Sequence, residues 1–267
     1  MNGPAVQCDR LSVRPARKCI LDLPVLDVPS GQMVALLGPN GAGKSTFLRC
    51  LLGMQNHVRG RVSVLGEQVG GLGGAGLAAL RRRLGYVPQL LPQTSEMPLT
   101  VREVVAIGRT GLAGLLRPLR RTDWRAVDEW IERLGLEPHA GRGFGEISGG
   151  EQRKALIARA MVQQPEMLLL DEPTANLDLG WRERMVEAID DLYRSQPLTV
   201  ILVCHELEVL PPCCDRVLLM RDGRLVADGA PESVLTTARI AEMYGPGLEV
   251  YRGAGRWAIL PGGAAHA

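Results

Sequence analysis

Nine consecutive residues carry the strongest chemical signal: Gly38, Pro39, Asn40, Gly41, Ala42, Gly43, Lys44, Ser45 and Thr46. Their spacing fits G-x-x-x-x-G-K-[ST]. A triphosphate needs many donors close together, and glycine lets the backbone approach closely enough to supply them. Lys44 can reach the β- and γ-phosphates, and the Ser45 hydroxyl can ligate Mg2+. A second group lies in MLLLDE, residues 167–172. Asp171 ends the apolar run and can hold Mg2+, directly or through water. Glu172 follows at once and can polarise an attacking water as general base. His205 ends a second apolar run, LTVILVCH, near where a γ-phosphate would lie.

These side chains need elements to hold them. QMVALL before the glycine loop reads as a buried strand, and TFLRCLLGM after it as a helix whose N-terminus points at the phosphates. MLLLD and LTVILVCH read as buried strands of parallel type. Ahead of the loop, VQCDRLSV and CILDLPVLDV alternate with turn signals and predict antiparallel strands, and VRGRVSVLG predicts a further hairpin element. GEQVGGLGGAG, residues 66–76, reads as a flexible surface loop, followed by a helix at LAALRRRL and a strand at LGYVP.

From about residue 90 to 165 the periodicity turns helical. Thr100 and Glu103 have capping-box spacing ahead of VREVVAIGR. Thr122 and Asp123 precede WRAVDEWIERLG, and Ser148 is an N-cap candidate for EQRKALIARAMV. WRERMVEAIDDLYR predicts an amphipathic helix, ELEVL a short one, and 231–244 another. RVLLMRDGRLVADG predicts a hairpin turning at Asp222-Gly223, and LEVYRGAGRWAILPG a hairpin turning at Gly253–Gly255.

The bulk properties narrow the class. A chain of 267 residues, 46% hydrophobic and 22% charged, suits one large α/β domain or two smaller ones. Its formal charge of +2 gives no argument for nucleic acid. Apolar runs fall short of the roughly 18 residues of a membrane helix, and the first residues lack a signal-peptide core. The expectation is a cytosolic protein with cysteines as buried small hydrophobes. Thiol or metal sensing at Cys213-Cys214 is the alternative for that pair.

Taken together, the motifs resemble the ATP-binding-cassette (ABC) ATPases over nearly the whole chain. GPNGAGKST looks like the family's Walker A loop, and Gln89 like its Q-loop glutamine. ISGGEQRKALIARA resembles the signature and its helix, LLLDEPTANLD resembles Walker B with the D-loop ending in Asp178, and His205 resembles the switch histidine. The resemblance implies an α/β P-loop NTPase with a mostly parallel sheet, an N-terminal antiparallel β subdomain and an inserted helical subdomain. As boundaries it gives one domain, 1–267, with its core in 1–89 and 166–240, the helical part in 90–165 and a short hairpin tail in 241–267. It implies ATP and Mg2+ as ligands, Ser45, Gln89 and Asp171 at the metal, and Glu172, His205 and Gln89 in catalysis. It further implies a head-to-tail homodimer in which Ser148, Gly149 and Gly150 contact the γ-phosphate held by a partner copy, with Asp178 beside them.

Two residues depart from the family pattern. Glu151 replaces the usual signature glutamine. The aromatic that usually stacks on adenine is absent from Ser12–Arg17; either Arg14 or Arg17 stacks in its place, or adenine is held more loosely. LTVREVVAIGR and the chain's ending look most like importers of metals and metal chelates (iron-siderophore, haem, cobalamin, zinc or manganese). That likeness implies membrane permease partners, an extracytoplasmic binding protein and a position on the cytoplasmic face of the membrane. An exporter ATPase, an importer of another cargo, and a non-transport ATPase are the alternative readings.

Overall fold

A computed structural model describes residues 3–15, 18–89, 99–114 and 117–262. Strands β1 (Val6–Val13), β2 (Leu21–Val28) and β3 (Met33–Leu37) lead into helix α1 (Lys44–Leu51). β4 (Val58–Val64), β5 (Glu67–Gln68), α2 (Gly74–Arg82) and β6 (Leu84–Val87) follow. Next come α3 (Val101–Ala113), α4 (Arg121–Arg133) and α5 (Gly149–Met161). β7 (Met167–Asp171), α6 (Leu179–Ser195), β8 (Thr199–Cys204), β9 (Arg216–Arg221) and β10 (Arg224–Gly229) complete the central part. α7 (Pro231–Val234), α8 (Thr237–Tyr244), β11 (Leu248–Gly253) and β12 (Arg256–Pro261) close the chain.

Six strands form the central sheet in the order β10-β9-β3-β8-β7-β6, parallel from β9 to β6 and antiparallel only at the β10 edge. The antiparallel sheet has the order β2-β1-β4-β5. The mixed α/β architecture expected from sequence is therefore present. Strand alternation explains how the layers join. On β3, Val34 and Leu36 enter the core shared with the antiparallel sheet, while Met33, Ala35 and Leu37 enter the core beneath the helices. β8 splits in the same way, with Ile201 and Val203 on one side and Val200, Leu202 and Cys204 on the other. Burial on both faces is why these strands read as unbroken apolar runs.

Four local expectations change. The glycine-rich stretch does not stay a loop to residue 76: α2 begins at Gly74, and its Leu80 is fully buried. α4 starts at Arg121, so Asp123 lies inside the helix; its carboxylate accepts from Arg120 N at 2.8 Å and pairs with Arg109 at 2.7 Å. Residues 231–244 form two helices, because the Thr236 hydroxyl caps α8 at the Arg239 N–H. ELEVL is not helical. Pro211-Pro212 follows directly, which removes helix-compatible backbone from the residue before and a donor from each proline.

Candidate active site

Three neighbouring parallel strands end side by side, with Leu37 opposite Cys204 and Asp171 opposite Val203. The glycine loop, the acid pair and His205 therefore emerge at one edge, the carboxyl end of the sheet, where α/β folds bind ligands. Gly38 can only be glycine: its φ is +152° and a Cβ there would meet the Met220 carbonyl at 2.1 Å. Gly43, at φ +96°, would meet the Ile20 carbonyl at 2.8 Å. α1 starts immediately after Gly43 with no side-chain cap, so its first N–H groups face the loop's hollow.

A cavity of about 590 Å³ opens there. Pro39, Asn40, Gly41, Ala42, Gly43, Lys44, Ser45 and Thr46 line it together with Gln89, Glu172 and His205. Lys44 is 4% exposed and its ammonium is fully partnered. It donates to Gly38 O at 2.7 Å and Pro39 O at 3.0 Å, and lies 3.0 Å from His205 Nδ1. His205 Nε2 contacts Glu172 Oε1, and a carboxylate only accepts, so that nitrogen carries a proton; Nδ1 lies between the Lys44 ammonium, which only donates, and Gly38 O at 3.1 Å, which only accepts. Gln89 Nε2 donates to the other Glu172 oxygen at 2.5 Å. Glu172 is thus held by two donors at once, on a backbone with φ +51°, which is strained for a glutamate.

Beside it the Ser45 hydroxyl donates to Asp171 Oδ1 at 3.1 Å. Two hard oxygens in contact suit Mg2+. Gln89 lies in the same cavity, but its amide nitrogen serves Glu172 rather than the Ser45–Asp171 pair. Burial raises the Asp171 carboxyl above the usual range, against the Ser45 hydrogen bond and the nearby Lys44. Burial likewise pushes the Lys44 ammonium down, and the Glu172 carboxylate opposes it. A raised acid costs the fold stability once pH climbs through the unfolded carboxylate value. Asp171→Asn keeps an acceptor for Ser45 and removes the charge. The nucleotide-free variant is expected to melt higher at pH 7, with the gap narrowing toward pH 4. Thermal unfolding without nucleotide checks this, and an unchanged or lower midpoint at pH 7 contradicts it.

Ser148, Gly149 and Gly150 are not brought into this cavity. Ser148 caps α5: its hydroxyl accepts from Glu151 N at 3.3 Å, and Glu151 Oε2 accepts from Ser148 N at 2.7 Å. Glu151 Oε1 meets His139 Nε2 at 2.8 Å, a contact made by the carboxylate that stands in place of the usual glutamine. Ser148 and Gly149 are exposed. Gly150 is covered by Trp181, whose ring would lie 2.2 Å from a Cβ at that position. Asp178 is exposed and caps α6, its Oδ1 accepting from Trp181 N at 3.0 Å.

Arg14 pairs with Asp22 at 3.6 Å and does not line the cavity, whereas Lys18, Cys19 and Ile20 do. Arg17 lies outside the described residues. Cys213 and Cys214 are both pushed up by burial, Cys214 to about 11. Among the described residues no metal-spaced cluster of His, Cys, Asp or Glu occurs. One residue escaped the sequence reading. Arg153 is 2% exposed and donates to Pro88 O at 2.8 Å and Gln89 O at 3.0 Å, fixing from α5 the backbone that presents Gln89. Its signal was a cation at helical spacing between Gly150 and Ile157, on an otherwise buried face.

Comparison with known proteins agrees with this geometry. A family model described as "ABC transporter" matches residues 22–175. A cobalamin import ATP-binding protein of Halobacterium salinarum is 39% identical over 234 residues, 88% of this chain and 57% of that protein. A hemin import ATP-binding protein of Bordetella avium is 37% identical over 253 residues, 92% of this chain and 94% of that one. A methionine import ATP-binding protein of Caulobacter vibrioides is 40% identical over 209 residues. The chain spans 57% and 61% of the lengths of the cobalamin and methionine proteins. A solved inward-facing "putative metal-chelate type ABC transporter" superposes with a TM-score of 0.80 at 24% identity, covering 97% of this chain and 98% of that one.

Proposed function

Because the chain belongs to the ABC transporter family, we propose that it is the ATP-binding and ATP-hydrolysing subunit of an importer, with a metal or metal chelate as cargo. The observation that carries the reading is Glu172, held by Gln89 and His205 at the rim of the glycine-loop cavity. In this account Gly38 to Thr46 cradle the phosphates, and Lys44 turns from its carbonyl partners to the β- and γ-phosphates. Ser45 and Asp171 would hold Mg2+, with Gln89 adjoining, and that ion would draw charge from the phosphate oxygens. Glu172 takes the proton of the attacking water, and His205 and Gln89 orient the carboxylate for that step.

The exposed caps support a second part of the proposal. Ser148 and Gly149, exposed at an α-helix N-terminus, suit an anion that comes from another molecule, with Gly150 next in the same turn beneath Trp181. A second copy of this chain, docked head to tail, would present its γ-phosphate there, with Asp178 at the seam. The chain then works as one cassette, 1–267, with its core in 1–89 and 166–240 and a helical arm in 90–165 that meets a membrane permease at the cytoplasmic face. No helix among the described residues is long and apolar enough to cross a membrane. A permease would therefore supply the pathway, and an extracytoplasmic binding protein would deliver the cargo.

Co-purification tests this part. The tagged full chain, drawn from gently solubilised membranes, is expected to bring a permease of many membrane helices and a binding protein. That binding protein can then be screened against metal ions and chelates. Recovery with ribosomes, with DNA, or with no membrane protein overturns the transport reading.

A further inference from the structure

The six residues His205 to Leu210 follow β8 without regular structure, yet they are held from three directions. Beneath, Leu207, Val209 and Leu210 are buried. From α6, Arg182 donates to Glu206 Oε2 at 2.5 Å and to Leu177 O, just before Asp178, at 3.0 Å. From the C-terminal hairpin, Arg256 spans two partners. It forks onto the Glu183 carboxylate at 2.8 and 3.1 Å and donates to Glu208 O at 2.5 Å. Three residues along the same strand, Ile259 N donates to Glu208 Oε1 at 2.9 Å. Glu208 is therefore gripped at backbone and side chain by β12 alone.

We propose that Arg256 is a positioning residue for His205, and that the C-terminal hairpin sets the geometry of the hydrolytic site through residues 205–210. The inference rests on the reading of His205 as part of that site. A segment outside helices and sheets must find partners for its backbone elsewhere, and Arg256 supplies one to Glu208 O. Two consecutive α6 residues, Arg182 and Glu183, anchor the two sides of the grip, so the loop is tied to α6 and to the hairpin together. The hairpin is itself fixed: Val250 N donates to Thr237 Oγ1 at 3.0 Å, and Trp257 and Ile259 pack on the main core. At the other end of the loop, His205 Nε2 holds Glu172. A shift at Glu208 therefore passes over three residues of chain to the carboxylate. The planar guanidinium fork holds the carboxylate at two points and reaches the carbonyl as well, a fixed geometry that an ammonium point charge does not impose.

The test uses the full chain with Arg256→Ala and Arg256→Lys. Expected for Arg256→Ala is a kcat lowered about tenfold, as misplacement of a catalytic group produces, with KM and nucleotide affinity within about twofold. Arg256→Lys, which keeps the charge and loses the fork, is expected to recover part of the rate. Amide exchange across 205–210 should quicken while that of α1 stays unchanged. An unaltered kcat, or a change carried wholly by KM, overturns the proposal. So does a lower melting midpoint with normal kcat per folded molecule. If Arg256→Ala does not fold, Glu183→Gln loosens the same arginine from its other anchor, with the same outcomes. If the unaltered chain hydrolyses no ATP, the ATPase reading fails, and exchange across 205–210 alone then decides the brace.

Discussion

Glu172→Gln is expected to bind ATP normally and to hydrolyse it about 10²–10⁴ times more slowly, the range spanned by a general base. The two side chains match in shape, so the strained backbone at residue 172 is kept. Glutamine retains one oxygen for the His205 Nε2 proton, and Gln89 can turn its amide to accept from the new NH2. What disappears is the acceptor that takes a proton from water. The groups assigned to phosphate binding, Lys44 and the loop amides, are untouched. With ATP the variant should accumulate as a dimer of about twice the 28.9 kDa chain, because closure proceeds and reopening does not. Phosphate release and light scattering read both effects. Turnover close to that of the unaltered chain would remove Glu172 from the role of base.

Lys44→Ala is expected to weaken ATP binding about 10–100-fold, the loss that follows from removing a charged hydrogen-bond donor worth about 1.5–3 kcal/mol. Burial holds the Lys44 ammonium below its ordinary value, so a nearby anion favours its charged form. An incoming phosphate supplies that negative charge, which the carbonyls of Gly38 and Pro39 lack. The variant also removes the Lys44 contact from His205 Nδ1 and leaves Gly38 O beside that nitrogen. Titration with a fluorescent nucleotide measures the affinity, and circular dichroism checks that the chain remains folded. Unchanged affinity in a folded variant would refute the role given to the glycine loop.

Sequence alone was most informative where one ligand dictates residue type and spacing together. Gly38, Gly43, Lys44 and Ser45 stood out by type and spacing, and the structure gives a local reason for the two glycines: both face carbonyls of the chain at distances no Cβ tolerates. Asp171, Glu172 and His205 were legible as ends of apolar runs, since parallel strands buried on both faces leave only their tips for chemistry. The caps at Thr100 and Ser148 were legible from local spacing. The wiring between these parts was hidden. Arg153 reaches back 65 residues to Pro88, and Arg256 reaches 73 residues to Glu183; neither contact leaves a periodic trace. The helix expected at 206–210 failed for a related reason. Leu207 and Leu210 are three apart as on a helix face, but the backbone there is set by proline and by arginines from distant elements. Likewise, of the two arginines that sequence offered as an adenine platform, Arg14 pairs with Asp22 and does not line the cavity, and Arg17 lies outside the described residues.

Phosphate release from ATP by the purified, unaltered chain tests the central claim most directly. Sustained turnover is expected that requires Mg2+ and stops when EDTA removes it, in keeping with the proposal that the Ser45 and Asp171 oxygens would hold the ion. No release, or release that continues undiminished in EDTA, would contradict it.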